Sequence, residues 1–372
     1  MQCSVEPKEL EEVAANNILT QDPIWADIKS RQGAQPLAFE IKVSDELLNV
    51  EGEENKFHTE DLIVYLYEIG ASATFAYVPY GPNLLPEEEN YGFFLETLSE
   101  RIKSQLPETC IFIRYDLPWE NLWSKEDTFY DENNYWKGPP ENKTQEYRLN
   151  WNTEYGKLLK SRTDNLPSNT FFVDLRQGEE EILAQMKPKT RYNIRLSQRK
   201  GVEVQQYGIE MLDEWYALYA ETTQRNGMQL QDKEFFKTVI EAEGRGVDSD
   251  VQLLMASYKG EMLAAMIFVI SNRRATYLYG ASTAKHRGLM APYCLQWEAI
   301  QRAKKAGCVE YDMFGTSPHP YPSHPMAGLF RFKHGFGAEL FHRMGCWDYP
   351  LMEQEYKIYR AKEIQAKSFH NN

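Results

Sequence analysis

Cysteine is scarce and unpatterned in this sequence: five residues, Cys3, Cys110, Cys294, Cys308 and Cys346, with no CxxC pair among them. An odd, scattered set excludes a disulfide framework and a zinc ribbon, and fits ordinary buried thiols in a reducing compartment. Long apolar runs are also missing. The longest, such as Leu263–Ile270, fall far short of the roughly 20 residues that a membrane helix needs. The first twelve residues carry four Glu, one Lys and no apolar segment, so no signal peptide is read and a cytoplasmic protein is expected. Positive charge is in deficit. Against 41 Lys and Arg stand 55 Asp and Glu, a net charge of -14 that opposes non-specific nucleic-acid binding. The P-loop, HExxH, GxSxG and Rossmann fingerprints are all absent, and nothing points to a cofactor or a metal.

What is present is aromatic and mixed in pattern. Aromatics make up 13% of the chain, with 23 Tyr and 8 Trp, residues whose flat face and polar tip serve cores and also sugars, bases and peptides. At 372 residues two domains are expected. Asp22 before Pro23 predicts an N-cap and first position for a short helix over 21–29. Strands are predicted at 37–43, 62–69, 74–81 and 110–116, with a helix at 91–105. Residues 117–150, rich in Trp, Tyr, Asn, Pro and acids, read as a long surface excursion. A second series then begins: strand 170–175, a helix over 179–200 broken near Pro188, strand 202–206, and helices 210–227 and 233–243. Strands 251–258 and 261–271 flank the turn Lys259-Gly260, and strand 275–281, helix 292–306 and strand 309–314 follow. Two halves of similar order predict α+β or mixed α/β domains, with a boundary in the polar stretch 160–169.

Four local features bear on function. Lys187, Lys189, Arg191, Arg195, Arg199 and Lys200 concentrate positive charge within 14 residues of an otherwise acidic chain. Such a run is more often a solvated helix face than a binding site. His319 and His324 lie in a Pro-rich loop without nearby Cys or carboxylates, which favours a mobile loop over a metal site. The segment Lys285–Pro292 introduces a helix after a strand, where acetyltransferases of the GNAT fold bind pyrophosphate on a Q/R-x-x-G-x-G/A loop. Aligned on Gly288, Lys285 and Met290 take the outer positions, and Met fits poorly where backbone must approach phosphate. Phe332-Lys333-His334 is equally compatible with a buried Phe beside an exposed Lys.

In order along the chain, several segments resemble the FemABX family of tRNA-dependent peptidoglycan aminoacyltransferases, in its short form. They are Trp25-Ala-Asp-Ile-Lys29; Phe75-Ala-Tyr77 with Gly81-Pro82; Arg114-Tyr-Asp116; Lys189-Thr-Arg-Tyr-Asn-Ile-Arg195 with Lys200-Gly-Val-Glu-Val204; Arg225-Asn-Gly227; Tyr277-Leu-Tyr279-Gly-Ala-Ser282; Ala291-Pro292 with Gln296; and Phe332-Lys333-His334-Gly-Phe336. The resemblance spans about residues 20–345. It implies two tandem GNAT-like domains: 1–165, binding a precursor and bearing the excursion 117–150, and 166–345, for the tRNA acceptor end and catalysis. A segment 346–372 is expected to return to the first domain. The stretch 210–246 leaves no room for the coiled-coil arm of some members.

The resemblance also assigns roles. Lys29 matches a lysine that contacts the precursor diphosphate, and Lys333 with Phe332 matches the pair most tied to transfer. Tyr277 and Tyr279 match groove tyrosines, and Trp25 and Tyr77 on the anchors join the substrate-binding set. Asp116 matches an aspartate proposed as a catalytic base; a salt bridge to Arg114 is the plain alternative. Gln231 stands where the family has an arginine partner for the diphosphate lysine, and Phe235 replaces a tyrosine. Losing a bidentate phosphate ligand leaves both UDP-MurNAc-pentapeptide and a lipid-linked precursor open, the latter giving the only expected membrane contact. The implied reaction moves an amino acid from aminoacyl-tRNA to an amine of the stem peptide, with the acceptor end on the Lys187–Lys200 run. A monomer is expected. The rival functions are a coenzyme A-dependent N-acyltransferase and a non-catalytic precursor-binding module.

Overall fold

The computed structural model describes residues 2–48, 56–70, 72–242 and 249–368. Residues 243–248, at the end of the armless stretch read from the sequence, lie outside the described residues, as do Met1 and 369–372 of the C-terminal segment. The chain forms two compact units. The first gathers residues 1–14, 33–168 and 342–372, and the second gathers 15–32 and 169–341. Among the described residues no helix is long and apolar enough to cross a membrane.

Thirteen strands run through the described residues. The first six are β1 (Cys3–Lys8), β2 (Gln35–Ser44), β3 (Phe57–Ile69), β4 (Ala73–Pro79), β5 (Cys110–Glu120) and β6 (Leu159–Lys160). The rest are β7 (Asn169–Asp174), β8 (Glu203–Tyr207), β9 (Ser249–Tyr258), β10 (Glu261–Ser271), β11 (Arg274–Ser282), β12 (Glu310–Gly315) and β13 (Glu339–Pro350).

In the first unit β1, β2, β3 and β4 pair antiparallel in sequence order, β4 lies parallel to β5, and β5 pairs antiparallel with β13. In the second unit β8, β9, β10 and β11 pair antiparallel, β11 lies parallel to β12, and β12 pairs antiparallel with β7. The two units therefore repeat one strand pattern, and in each the parallel pair is joined through a helix, Tyr91–Ile102 or Ala291–Lys305. The mixed α/β class expected from the sequence holds.

Each crossover helix forms because its apolar residues recur at helical spacing. Tyr91, Phe94, Leu95, Leu98 and Ile102 are buried over the first sheet with Ile41, Val64 and Ile113. Cys294, Leu295, Trp297, Ile300 and Ala303 do the same in the second with Leu254, Met266 and Phe268. Burying one such large side chain contributes about 1.5–3 kcal/mol.

Two expectations fail here. Residues 117–150 are not a surface excursion: Trp119, Leu122, Trp123, Trp136 and Leu149 are buried. The helix Asn142–Leu149 packs so tightly that a Cβ on Gly92 would lie 1.6 Å from the Leu149 carbonyl oxygen. Polar composition concealed this because the buried residues are isolated Trp and Leu without a regular period. Second, residues 15–32, which chain order places in the first domain, belong to the second unit. The reason is local. The predicted N-cap Asp22 accepts from Ile24 N–H at 3.0 Å, and its other oxygen accepts from Asn16 N–H at 3.0 Å and Ser249 Oγ at 2.9 Å.

Candidate functional site

In the second unit, two clusters form around the sequence-selected residues. The first centres on Lys333, near the end of the helix Ala327–His334. Its Nζ donates to the carbonyl oxygens of Phe314 at 3.0 Å and Gly315 at 2.6 Å, and lies 5.4 Å from the ring centroid of Tyr277. The side chain is not the exposed lysine of the plain reading: it is 3% exposed, and burial pushes its pKa from 10.5 down to about 7. Tyr277 is half-buried on β11, its hydroxyl pushed up to about 12 by burial. Gly280 makes room for it, since a Cβ there would lie 1.7 Å from the Tyr277 hydroxyl oxygen. Phe332 turns aside from Lys333 into contact with Tyr293 and Phe336, at centroid distances of 5.1 and 5.3 Å. It shapes the apolar support of the helix.

The second cluster surrounds Lys29. Its Nζ lies 5.0 Å from the Trp25 centroid and 5.6 Å from that of Phe235, and donates to Gln32 Oε1 at 3.1 Å. Partial burial lowers its pKa. Phe235 meets Tyr279 edge-on at 5.7 Å, and Tyr279 in turn packs on Tyr219 and Phe236. Trp25, Lys29, Phe235 and Tyr279 thus form one aromatic cluster around a lysine ammonium, whereas the Gln231 side chain is exposed.

The basic run divides. The helix Pro188–Arg199 buries Thr190, Asn193, Ile194 and Ser197 and exposes Lys189, Arg195 and Arg199 with Tyr192, which is 57% exposed. Lys200, just past its end, is also exposed. Arg191 instead bonds the carbonyls of Leu183, Ala184 and Met186, closing the end of the preceding helix Glu179–Gln185. Lys187 ties this helix to the Lys333 segment. Its N–H donates to the Gly335 carbonyl at 2.9 Å, and its Nζ lies 3.1 Å from His334 Nδ1.

In the first unit, Asp116 and Tyr77 sit together on β5 and β4. Asp116 is fully buried. One carboxylate oxygen accepts from the Tyr77 hydroxyl at 3.0 Å and from Leu166 N–H at 2.9 Å. The other has no hydrogen-bond partner among the described residues, and Cys346 is the cross-strand neighbour of this residue on β13. Burial, then the charge of Asp164, pushes its pKa up to about 6. The salt bridge to Arg114 does not form. Arg114 pairs bidentately with Asp348, its direct cross-strand neighbour on β13, at 2.7 and 2.8 Å and with Glu363 at 2.9 Å.

The loop ahead of the helix Ala291–Lys305 is spent on itself. Ala284 N–H donates to Glu221, Lys285 N–H to Thr283 Oγ1 at 3.1 Å, and those of Leu289 and Met290 to the carbonyls of His286 and Arg287 at 2.8 and 3.1 Å. Four amides are therefore withdrawn from any pyrophosphate. His319 and His324 present their rings edge-on at 5.9 Å, and His324 Nδ1 already accepts from Met326 N–H at 3.0 Å. Among the described residues no three His, Cys, Asp or Glu side chains gather as a metal site would require. Sequence reasoning missed Asp312 and the β12 carbonyls that receive Lys333; a left-handed Phe leaves no readable signature.

Residues 9–248 and 248–363 match the FemAB family, and the chain belongs to it. The lipid II:glycine glycyltransferase of Staphylococcus haemolyticus is 21% identical over 254 residues, covering 52% of this chain and 61% of that protein. The protein of the same name from Staphylococcus saprophyticus is 28% identical over 134 residues, 34% of this chain and 32% of its own. The chain thus spans at most about three fifths of the length of these relatives. The crystal structure of FemX superposes with a TM-score of 0.71 over 94% of this chain and 96% of its own, at 17% identity, and so shares the fold.

Proposed function

We propose that this chain is an aminoacyltransferase that joins an amino acid, delivered as its tRNA ester, to an amine of a peptidoglycan precursor peptide. Relatives named lipid II:glycine glycyltransferase support the substrate class, and lipid II makes a lipid-linked precursor the preferred acceptor. The observation that carries the reading is Lys333, whose ammonium satisfies two carbonyls and keeps a third N–H for a reacting oxygen.

The chemistry is aminolysis. The acceptor amine attacks the ester carbonyl carbon, an amide C–N bond forms, and the C–O bond to the ribose breaks. One proton must leave the amine and one must reach the ribose oxygen. Lys333, held near neutrality, suits both demands: as ammonium it stabilises the oxyanion and protonates the leaving oxygen, and as amine it recovers the proton from the new amide nitrogen. Both states keep enough hydrogens for the two carbonyl bonds. Lys29, beside its two rings, is the seat for the precursor diphosphate, with Trp25, Phe235, Tyr279 and Tyr277 lining the acceptor side. The exposed face of the helix Pro188–Arg199 receives the tRNA acceptor end. Asp116 positions Tyr77, whose hydroxyl donates to it at 3.0 Å.

The test offers a mixed pool of radiolabelled aminoacyl-tRNA to UDP-linked and lipid-linked pentapeptide precursors in parallel. Label on the lipid-linked precursor, abolished by prior RNase treatment, is the expected result. Label on neither, with binding of precursor intact, identifies a non-catalytic binding module. Acetylation of a precursor by acetyl-CoA would establish the coenzyme A reading instead.

A further inference from the structure

The sequence reading passes over Asp312, and the transfer chemistry above does not use it, yet it is 4% exposed on the strand that faces Lys333. We propose that Asp312 is the positioning residue for Lys333: its carboxylate fixes the β12 bulge whose carbonyls hold the ammonium, and it supplies the negative charge beside that bulge. The inference rests on the transferase reading for its kinetic consequence but not for its structural one.

The bulge comes first. Asp312 pairs with Phe172 and Gly315 with Thr170, so two residues of β12, Met313 and Phe314, oppose one of β7. Phe314 takes the extra turn with φ of 59°, a left-handed conformation that a bulky residue adopts only when its surroundings impose it. Asp312 supplies that constraint. Its Oδ1 accepts from Phe314 N–H at 2.7 Å and from the Thr170 hydroxyl, tying the bulged residue to its own strand and to β7. With the turn so fixed, the consecutive carbonyls of Phe314 and Gly315 both meet Lys333 Nζ, at 3.0 and 2.6 Å. A regular strand would send successive carbonyls to opposite sides.

The charge comes second. Burial drives Lys333 toward the neutral amine, and Asp312 opposes it. Tyr277 on β11 and Tyr311 on β12 carry no counter-charge, because burial pushes both hydroxyls up. His334, next on the same helix, is pushed down by burial and by Lys187 and stays neutral. Asp312 is therefore the charge that opposes burial at Lys333.

The experiment separates the two roles with Asp312→Asn, whose amide oxygen can still accept from Phe314 and Thr170 while the charge is gone. Protein labelled with 13Cε-lysine reports the Lys333 titration directly, the resonance being assigned by its absence in Lys333→Met. The expected result is a Lys333 midpoint lower by about one pH unit in Asp312→Asn. The alkaline limb of the transfer rate should move down with it, with kcat reduced and the KM for precursor unchanged. Should Asp312→Asn fail to fold, adding Phe314→Gly relieves the left-handed turn, so that the fold no longer depends on the bond from residue 312, and the pair reads the charge alone. An unshifted Lys333 midpoint in either folded variant overturns the proposal. A shifted midpoint in a protein with no transferase activity would sink the proposed function and leave this inference standing.

Discussion

Lys29 holds its ammonium 5.6 Å from the ring centroid of Phe235, a residue far along the chain. Trp25 lies 5.0 Å from the same ammonium, and two such aromatic contacts position charge without neutralising it. Partial burial, which lowers its pKa, makes an anion the favoured occupant. Lys29→Ala is expected to raise the KM for a diphosphate-bearing precursor by about ten- to a hundred-fold, the worth of a charge-assisted hydrogen bond. Phe235→Ala should cost less. Equal losses on an analogue lacking the diphosphate would place the phosphate seat elsewhere.

Much of this site was legible because local rules carried it. Asp22 before Pro23 does cap a helix, over Pro23–Arg31, and Lys259-Gly260 does turn the hairpin between β9 and β10. The break near Pro188 does separate two helices, Glu179–Gln185 and Pro188–Arg199. What was not legible depends on long-range pairing. β1 has Glu6, Pro7 and Lys8 at its end and reads as polar until it meets β2. β13 gives no period of two across Arg343–Gly345–Trp347 because both its faces are buried. The membership of 15–32 in the second unit rests on Asp22 meeting Ser249, which no window of sequence contains.

The pH dependence of stability follows from Lys333. Its folded-state pKa is about 7 and its ordinary value 10.5, so between those limits the unfolded chain binds more protons. Stability therefore rises with pH across that window, and the cost of the buried charge is complete below pH 7. In urea unfolding at several pH values, the parent should gain on Lys333→Met by on the order of a few kcal/mol as pH rises from 7 to 10.5. Transfer by Lys333→Met should be abolished while the variant stays folded. A stability difference that does not change with pH would show that Lys333 titrates normally.

Asp116 carries the opposite sign of argument. Its folded pKa, pushed up to about 6 from 3.8, means that the native state holds its proton longer than the unfolded chain. Stability falls as pH rises through that window, and above it the buried carboxylate is a cost. Asp116→Asn keeps an acceptor for Tyr77 and Leu166, so it should be more stable than the parent at pH 8 by on the order of 1–3 kcal/mol. That advantage should vanish near pH 4. Its kcat should stay within a few-fold. A loss of about a hundred-fold or more with the fold intact would restore the general-base role.

The helix Pro188–Arg199 allows four basic residues to be sorted by what they touch. Lys189, Arg195 and Arg199 share its exposed side with Tyr192, whereas Arg191 is turned onto the carbonyls of Leu183, Ala184 and Met186. If the exposed side tracks the tRNA backbone, each Ala replacement of Lys189, Arg195 or Arg199 removes one phosphate contact. The slope of log affinity against log salt should then shrink by about one per replacement. Tyr192→Ala should weaken binding without changing that slope, since a stacking face releases no counterions. Arg191→Ala should lower thermal stability, because three carbonyls at the end of the helix Glu179–Gln185 lose the guanidinium, and should leave the salt slope of the folded protein alone. Filter binding of aminoacyl-tRNA between about 50 and 200 mM salt separates the three behaviours. A common response from all four basic residues would mean that diffuse charge, not this helix face, carries the tRNA.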